Sequence, residues 1–154
     1  MSAATSSIDS TVDSRDLAVR MSVLDAATSY CSRGWSVLPV PYREKNPGLN
    51  GWQKLRLKGN DLTAHFNGKP GNIGVLLGEP SGWLIDVDLD HQFCVDMADE
   101  YLPPTPLVFG RPGKPRSHWL FKVTAPLPSK RFRSKSAGSL VEIRSTGMQT
   151  VFPP

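Results

Sequence analysis

The sequence predicts an α+β domain built on a largely antiparallel or mixed sheet. Its 154 residues suffice for one domain with one core. Elements run in the order helix, strand, loop, hairpin, helix, hairpin, hairpin. Strand-like segments adjacent in sequence dominate the later part, without the regular β–α alternation of a doubly wound parallel sheet.

Residues 1–13, rich in Ser, Thr and Ala with few large apolar groups, read as a disordered tail ahead of a domain over 14–154. Leu17, Met21, Leu24, Ala26 and Ala27 recur at helical spacing and Gly34 supplies a stop, so a helix is predicted over about 14–33. Trp35–Val40 alternates and is β-branched, hence a strand; Pro41–Trp52, with its Pro, Gly and Asn, is a loop. A short helix over Asp61–Phe66 takes Asn60 or Asp61 as its cap. Ile73–Gly78 and Trp83–Asp88 read as a hairpin around the turn Glu79–Gly82. A second helix spans His91–Tyr101 and ends before Pro103-Pro104. Pro106–Gly110 and His118–Val123 are strands flanking a Pro/Gly/basic loop. Ser139–Arg144 and Met148–Phe152 form a last hairpin around Ser145-Thr146-Gly147.

The apolar fraction of 39% and charged fraction of 21% are those of an ordinary globular domain. No apolar run is long enough to cross a bilayer and no secretory signal opens the chain, so a cytoplasmic location is expected. Cys31 and Cys94 lie far apart and form no zinc-type pair; reduced thiols are expected. The net charge is +4, and its distribution is lopsided. No acidic residue lies between Glu100 and Glu142, whereas Arg111, Lys114, Arg116, Lys122, Lys130, Arg131, Arg133 and Lys135 do. That stretch is either a solvated basic face or a surface for a polyanion.

The chemistry-bearing residues begin with Asp86 and Asp88. Two apart on a strand, they project from one face while Val87 turns into the core. Like charges that close repel unless a cation lies between them, and Mg²⁺ or Mn²⁺ suits carboxylate oxygen. Asp-x-Asp alone also fits a polar strand end, a sugar transferase or a nuclease. Asp90 is assigned as N-cap of the following helix. Glu142, flanked by apolar residues in Leu140–Ile143, either reaches solvent or serves a buried metal. Three acids suffice for a two-metal site. His118 follows Arg111, Lys114, Arg116 and Ser117; a histidine among cations and a hydroxyl suits a triphosphate better than a metal. Arg144 and Gln149 flank the Gly147 turn beside Glu142, and an Arg fork matches phosphate geometry. Lys45 by itself reads as a solvated loop lysine.

Taken together, the segments resemble the bifunctional DNA primase/polymerase N-terminal family, the prim-pol branch of the archaeo-eukaryotic primase superfamily. The resemblance rests on Ala26–Val40, on Lys45-Asn-Pro47 with Gly51-Trp52, on Asn72–Gly78 and Ser81–Asp88, on Ser117-His118-Trp-Leu-Phe121, and on Glu142–Pro154. It covers roughly residues 20–154, through the order and spacing of the motifs. Arg116 stands where the family often has a small residue, and Gly113-Lys-Pro-Arg116 replaces its usual Gly-rich approach.

The resemblance implies a prim-pol fold, an RRM-like and mostly antiparallel sheet beside a smaller α/β module. It implies Mg²⁺ or Mn²⁺ on Asp86, Asp88 and Glu142, with His118 and Arg144 on an incoming nucleoside triphosphate; Ser117, Arg116, Lys45 and Gln149 complete the nucleotide-binding set. Single-stranded DNA template and primer are the expected partners. The chain is expected to be a piece of a longer protein carrying a helicase further on, encoded by a phage, plasmid or other mobile element. The alternatives are a non-catalytic DNA-binding domain of a replication initiator and another metal-dependent phosphotransferase or nuclease.

Overall fold

Local sequence decides the elements, but long-range pairing decides the architecture. The computed structural model describes residues 14–153, so the expected tail lies outside the described residues. Helix α1 covers Ser14–Ser32 and ends on backbone turns leading into Gly34, whose φ of 81° only glycine adopts readily. Strand β1 follows at Val37–Pro41, then a long loop, and α2 at Asn60–His65. Neither Asn60 nor Asp61 is the N-cap of α2. Gly59 holds that place without a side-chain bond, and Asp61 instead accepts from the Lys58 amide at 3.3 Å.

Strands β2 (Gly71–Leu76) and β3 (Leu84–Leu89) are not a hairpin. β2 joins β1 and β8 (Gln149–Phe152) in a three-stranded antiparallel sheet. β3 lies at the centre of a five-stranded antiparallel sheet. That sheet is ordered β4 (Val108–Arg111), β5 (Lys114–Lys122), β3, β7 (Gly138–Arg144), β6 (Lys130–Ser134). Between β2 and β3 a 3₁₀ turn at Glu79–Ser81 carries the chain from one sheet to the other; only Gly78 bridges Leu84. The expected final hairpin fails the same way, because β7 and β8 belong to different sheets. Instead β7 pairs back on β6, a strand absent from the sequence reading.

The predicted helix over His91–Tyr101 is two short helices, α3 (Gln92–Asp96) and α4 (Ala98–Tyr101), meeting at Met97. His91, not Asp90, is the N-cap of α3: its Nδ1 accepts from the Phe93 amide at 3.2 Å. Asp90 is taken elsewhere, receiving the Ser139 hydroxyl at 2.5 Å.

Both sheets bury both faces, at least near their centres. The main core packs α1 and α2 (Ala27, Leu62) against Val37, Ile73, Val75 and Phe152 of the small sheet and Leu84 and Leu120 of the large one. The far face of the small sheet, Leu38, Val40 and Leu76, is covered by Trp52 and Leu55. Val87, Leu89 and Trp119 form a second core under α3 and α4, on the opposite side of the large sheet from Asp86 and Asp88. Among the described residues no helix is long and apolar enough to cross a membrane. The fold is the α+β class expected, with two antiparallel sheets and few helices.

Candidate active site

The register of the large sheet places the chemistry. Asp88 faces His118 of β5 on one side and Glu142 of β7 on the other. The same row continues outward to Phe109 of β4 and to Arg131 of β6. One step along β3, Asp86 lies between Leu120 and Arg144. Directly opposed side chains on one sheet face stand about 5 Å apart, so this face gathers all three acids. They are also deeply placed: Asp86 is 0%, Glu142 5% and Asp88 6% exposed.

A buried carboxylate must find donors. Asp86 Oδ2 accepts the Thr150 hydroxyl at 2.6 Å, from a strand of the other sheet, and pairs with His118 Nδ1 at 2.9 Å. Its Oδ1 is buried without a partner. Arg144 bridges the other two acids, Nη2 to Asp88 Oδ2 at 2.6 Å and Nε to Glu142 Oε2 at 2.8 Å. Arg131 donates Nε to Glu142 Oε1 at 2.8 Å, and its Nη2 reaches the same oxygen. Burial pushes the Asp88 carboxyl above its ordinary range; Arg144 and His118 pull it back, while Asp86 and Asp90 add to the rise. Burial works against the charge on Arg144, but Asp88, Glu142 and Asp86 outweigh it and hold the guanidinium more firmly protonated than usual.

Beside the acids opens a cavity of about 630 Å³, within the common range of small-molecule sites. Its wall carries Arg43, Lys45, Arg111, Lys114, His118 and Arg144, with Asp88, Asp90 and Glu44 as the acids. Asp86 and Glu142 are not among the lining residues, but Asp86 bonds to Thr150 and His118, and Glu142 to Arg144, which are. Ser117 and Gln149 line the cavity too, and Gln149 ties the lysine loop down by donating Nε2 to the Lys45 carbonyl at 2.7 Å. Asn72 does the same at the Glu44 carbonyl, at 3.0 Å. Arg116 is not part of this group. It turns to the other side of the sheet, lying over the Trp119 ring at 5.1 Å and pairing with Asp99 at 2.6 Å.

Sequence reasoning missed the roles of Thr150 and Arg131. Thr150 is a polar residue buried at 2% between Gln149 and Val151 on β8, a signal visible only once the strand is known to face Asp86. Arg131 was submerged in a basic run, although the charges of Lys-Arg-Phe-Arg-Ser over 130–134 suit an exposed edge strand.

Three carboxylates suit hard divalent cations, and the bare Asp86 Oδ1 is a ready oxygen donor. As the side chains stand, however, guanidinium groups hold both oxygens of Glu142 and Oδ2 of Asp88, while Thr150 and His118 hold Oδ2 of Asp86. Among the described residues no three acidic, histidine or cysteine side chains are set to close on a cation. The donor chemistry therefore fits Mg²⁺ or Mn²⁺, on condition that Arg144 and Arg131 give way.

A sequence model of the family described as bifunctional DNA primase/polymerase, N-terminal, matches residues 27–154. A search of curated proteins finds no match. The family implies a nucleotidyltransferase-type enzyme acting on DNA and nucleotides, typically with divalent cations. Matched over most of its length, with its acids aligned across adjacent strands of an antiparallel sheet, this chain belongs to the bifunctional DNA primase/polymerase N-terminal family.

Proposed function

We propose that this domain joins nucleotides on a single-stranded DNA template, with Asp86, Asp88 and Glu142 as the acids that hold two divalent cations. The observation that carries the reading is the cross-strand row His118–Asp88–Glu142, with Asp86 one step away, beside a cationic cavity. Bound there, the cations would lower the pKa of the attacking hydroxyl and neutralise charge on the leaving pyrophosphate.

The chain's own residues do the binding and orienting. Lys45, Arg111, Lys114 and Arg144 present positive charge to a triphosphate in the cavity. His118, donating Nδ1–H to Asp86, lines the same cavity and would meet a phosphate oxygen as an imidazolium, through Nε2–H. The basic strand β6, at the sheet edge next to Glu142, supplies sequence-independent contact to the template backbone. A helicase region in a longer protein is consistent with such an activity.

The test is primer extension with Mg²⁺ and with Mn²⁺. Asp86→Asn, Asp88→Asn and Glu142→Gln each lower nucleotide incorporation by about two orders of magnitude or more, the scale of losing a charge-stabilising group, while circular dichroism shows a folded chain. Wild-type extension by any of the three removes that residue from the chemistry. The ion pairs on Asp88 and Glu142 favour a second reading, a non-catalytic DNA-binding domain in which the acids are structural. Metal-dependent nucleotide binding separates the two, because only the enzyme shows it.

A further inference from the structure

We propose that Arg144 and Arg131 are resident counter-cations of the acidic cluster, which keep Asp88 and Glu142 closed to divalent cations until a nucleoside triphosphate draws Arg144 away. Metal loading is then coupled to nucleotide binding. The inference rests on the metal-site reading above and adds to it an order of events.

The carboxylate oxygens are unequally occupied. Both oxygens of Glu142 and Oδ2 of Asp88 are held by guanidinium nitrogens, whereas Oδ1 of Asp86 has no partner at all. A guanidinium and a divalent cation compete for the same lone pairs, so a cation taking Oδ2 of Asp88 or Oε2 of Glu142 must displace Arg144, and one taking Oε1 of Glu142 must displace Arg131. Among the described residues Oδ1 of Asp88 faces only His118, at 3.6 Å. The competition has a structural purpose. Three buried acids on two adjacent strands repel one another, and positive charge between them relieves the repulsion when no metal is present.

Arg144 also has somewhere to go. It lies on the cavity wall with about a quarter of its side chain exposed, so one guanidinium faces the acids and the cavity together. Its fork suits phosphate oxygens as well as carboxylates. A triphosphate that takes the guanidinium leaves Asp88 and Glu142 short of a counter-charge at the moment a metal–nucleotide complex brings one. Arg131 has no such second role: it sits on the edge strand outside the cavity, pinning Glu142 from the far side. By linkage, the factor by which a bound nucleotide raises the acids' affinity for the cation is the factor by which the cation raises affinity for the nucleotide.

The experiment measures Mn²⁺ binding to the nucleotide-free full chain by electron paramagnetic resonance of the free ion. Arg144→Gln binds Mn²⁺ about ten-fold tighter than wild type, within the usual span of site–site coupling, and Arg131→Gln gains in the same direction by less. Unchanged or weaker Mn²⁺ binding in both overturns the proposal. Should Arg144→Gln fail to fold, Arg131→Gln decides alone, and unchanged affinity there overturns it. Calorimetry with a nucleoside triphosphate in excess EDTA tests the other half: Arg144→Gln binds it about ten-fold more weakly, and equal binding overturns the exchange. A double variant, Asp88→Asn with Arg144→Gln, identifies which reading has failed. If it binds Mn²⁺ as tightly as Arg144→Gln alone, the acids are not the metal site and the proposed function falls as well. If it loses the ion while the arginine variants match wild type, only the counter-cation inference falls.

Discussion

Phe152→Ala tests how firmly the two sheets are clamped together. Phe152 is 4% exposed at the end of β8. Its ring meets Tyr30 at 5.4 Å and Trp35 at 5.7 Å, both edge-on, and Phe109 at 5.0 Å. Phe109 in turn stacks on His118 at 5.0 Å. One side chain thus joins α1, the approach to β1, the small sheet and the outer strand of the large sheet. Truncating a buried Phe costs about 3–5 kcal/mol. The aromatic pairs, each worth about 0.5–1.5 kcal/mol beyond area, put this site near the top of that range. A domain of this size holds only about 5–15 kcal/mol, so the variant is marginal. Urea unfolding followed by tryptophan fluorescence and circular dichroism reads the loss, with a fall in Tm of about 8–20 °C at about 2–4 °C per kcal/mol. Phe152→Leu, which refills most of the volume, costs about 1.5 kcal/mol or less. A loss below about 1 kcal/mol for Phe152→Ala, well under the range for a packed ring, would show that β8 is not clamped between the sheets and refute the reasoning.

Gly78→Ala meets Thr146: a Cβ there would lie 2.3 Å from the Thr146 amide nitrogen, at a φ of +75°. It destabilises by about 3 kcal/mol or more in urea unfolding, combining overpacking with backbone strain; Gly82→Ala, with φ +64° but open space to 3.8 Å, loses only about 1–2 kcal/mol for the left-handed backbone. The raised Asp88 carboxyl sets a pH dependence of unusual sign. Because the fold favours its neutral form, Asp88 costs stability when ionised, and that cost is relieved as pH falls through its raised value towards the ordinary 3.8. Subtracting the Asp88→Asn stability profile from the wild-type one isolates this contribution, which rises on acidification. In the same window the proton competes with Mn²⁺, so metal affinity measured by calorimetry declines at a pH above the normal carboxylate range.

The grouping of the candidate acids on one face is more legible in the sequence than the strand pairing around them. Alternation on β3 is local, so Asp86, Val87 and Asp88 declare their faces without any knowledge of partners. Pairing is not local. Gly78 and Gly147 both look like hairpin turns, because a turn that reverses the chain within a sheet uses the same residues as one that moves it to another sheet. Nothing in residues 71–89 records that β2 pairs with a strand near residue 150. Asp90 misleads for a related reason: Asp is a good N-cap, but Ser139 from β7 has already engaged its carboxylate, and the neighbouring His91 takes the cap. Arg116 lies away from the cavity residues: with a φ of 58° beside an irregular β4–β5 register, it lies over the Trp119 ring and pairs with Asp99.

The two crossings between sheets explain why a buried acid can sit where Asp86 does. The first, through Gly78 and Glu79, packs on the second, through Thr146: the Glu79 amide donates to the Thr146 hydroxyl at 3.1 Å, and the Leu77 amide to the Met148 carbonyl at 3.0 Å. Fixing one crossing against the other fixes β3 against β8, which brings the Thr150 hydroxyl to Asp86 from the opposite sheet. A carboxylate with no exposure is costly unless such donors are held in place before it is buried. Neither sheet alone can supply them, since β5 gives only His118 and β8 only Thr150. The acid is therefore a property of the docked pair of sheets, and loosening the inter-sheet core at Phe152 or Gly78 must reach Asp86 even though neither residue touches it.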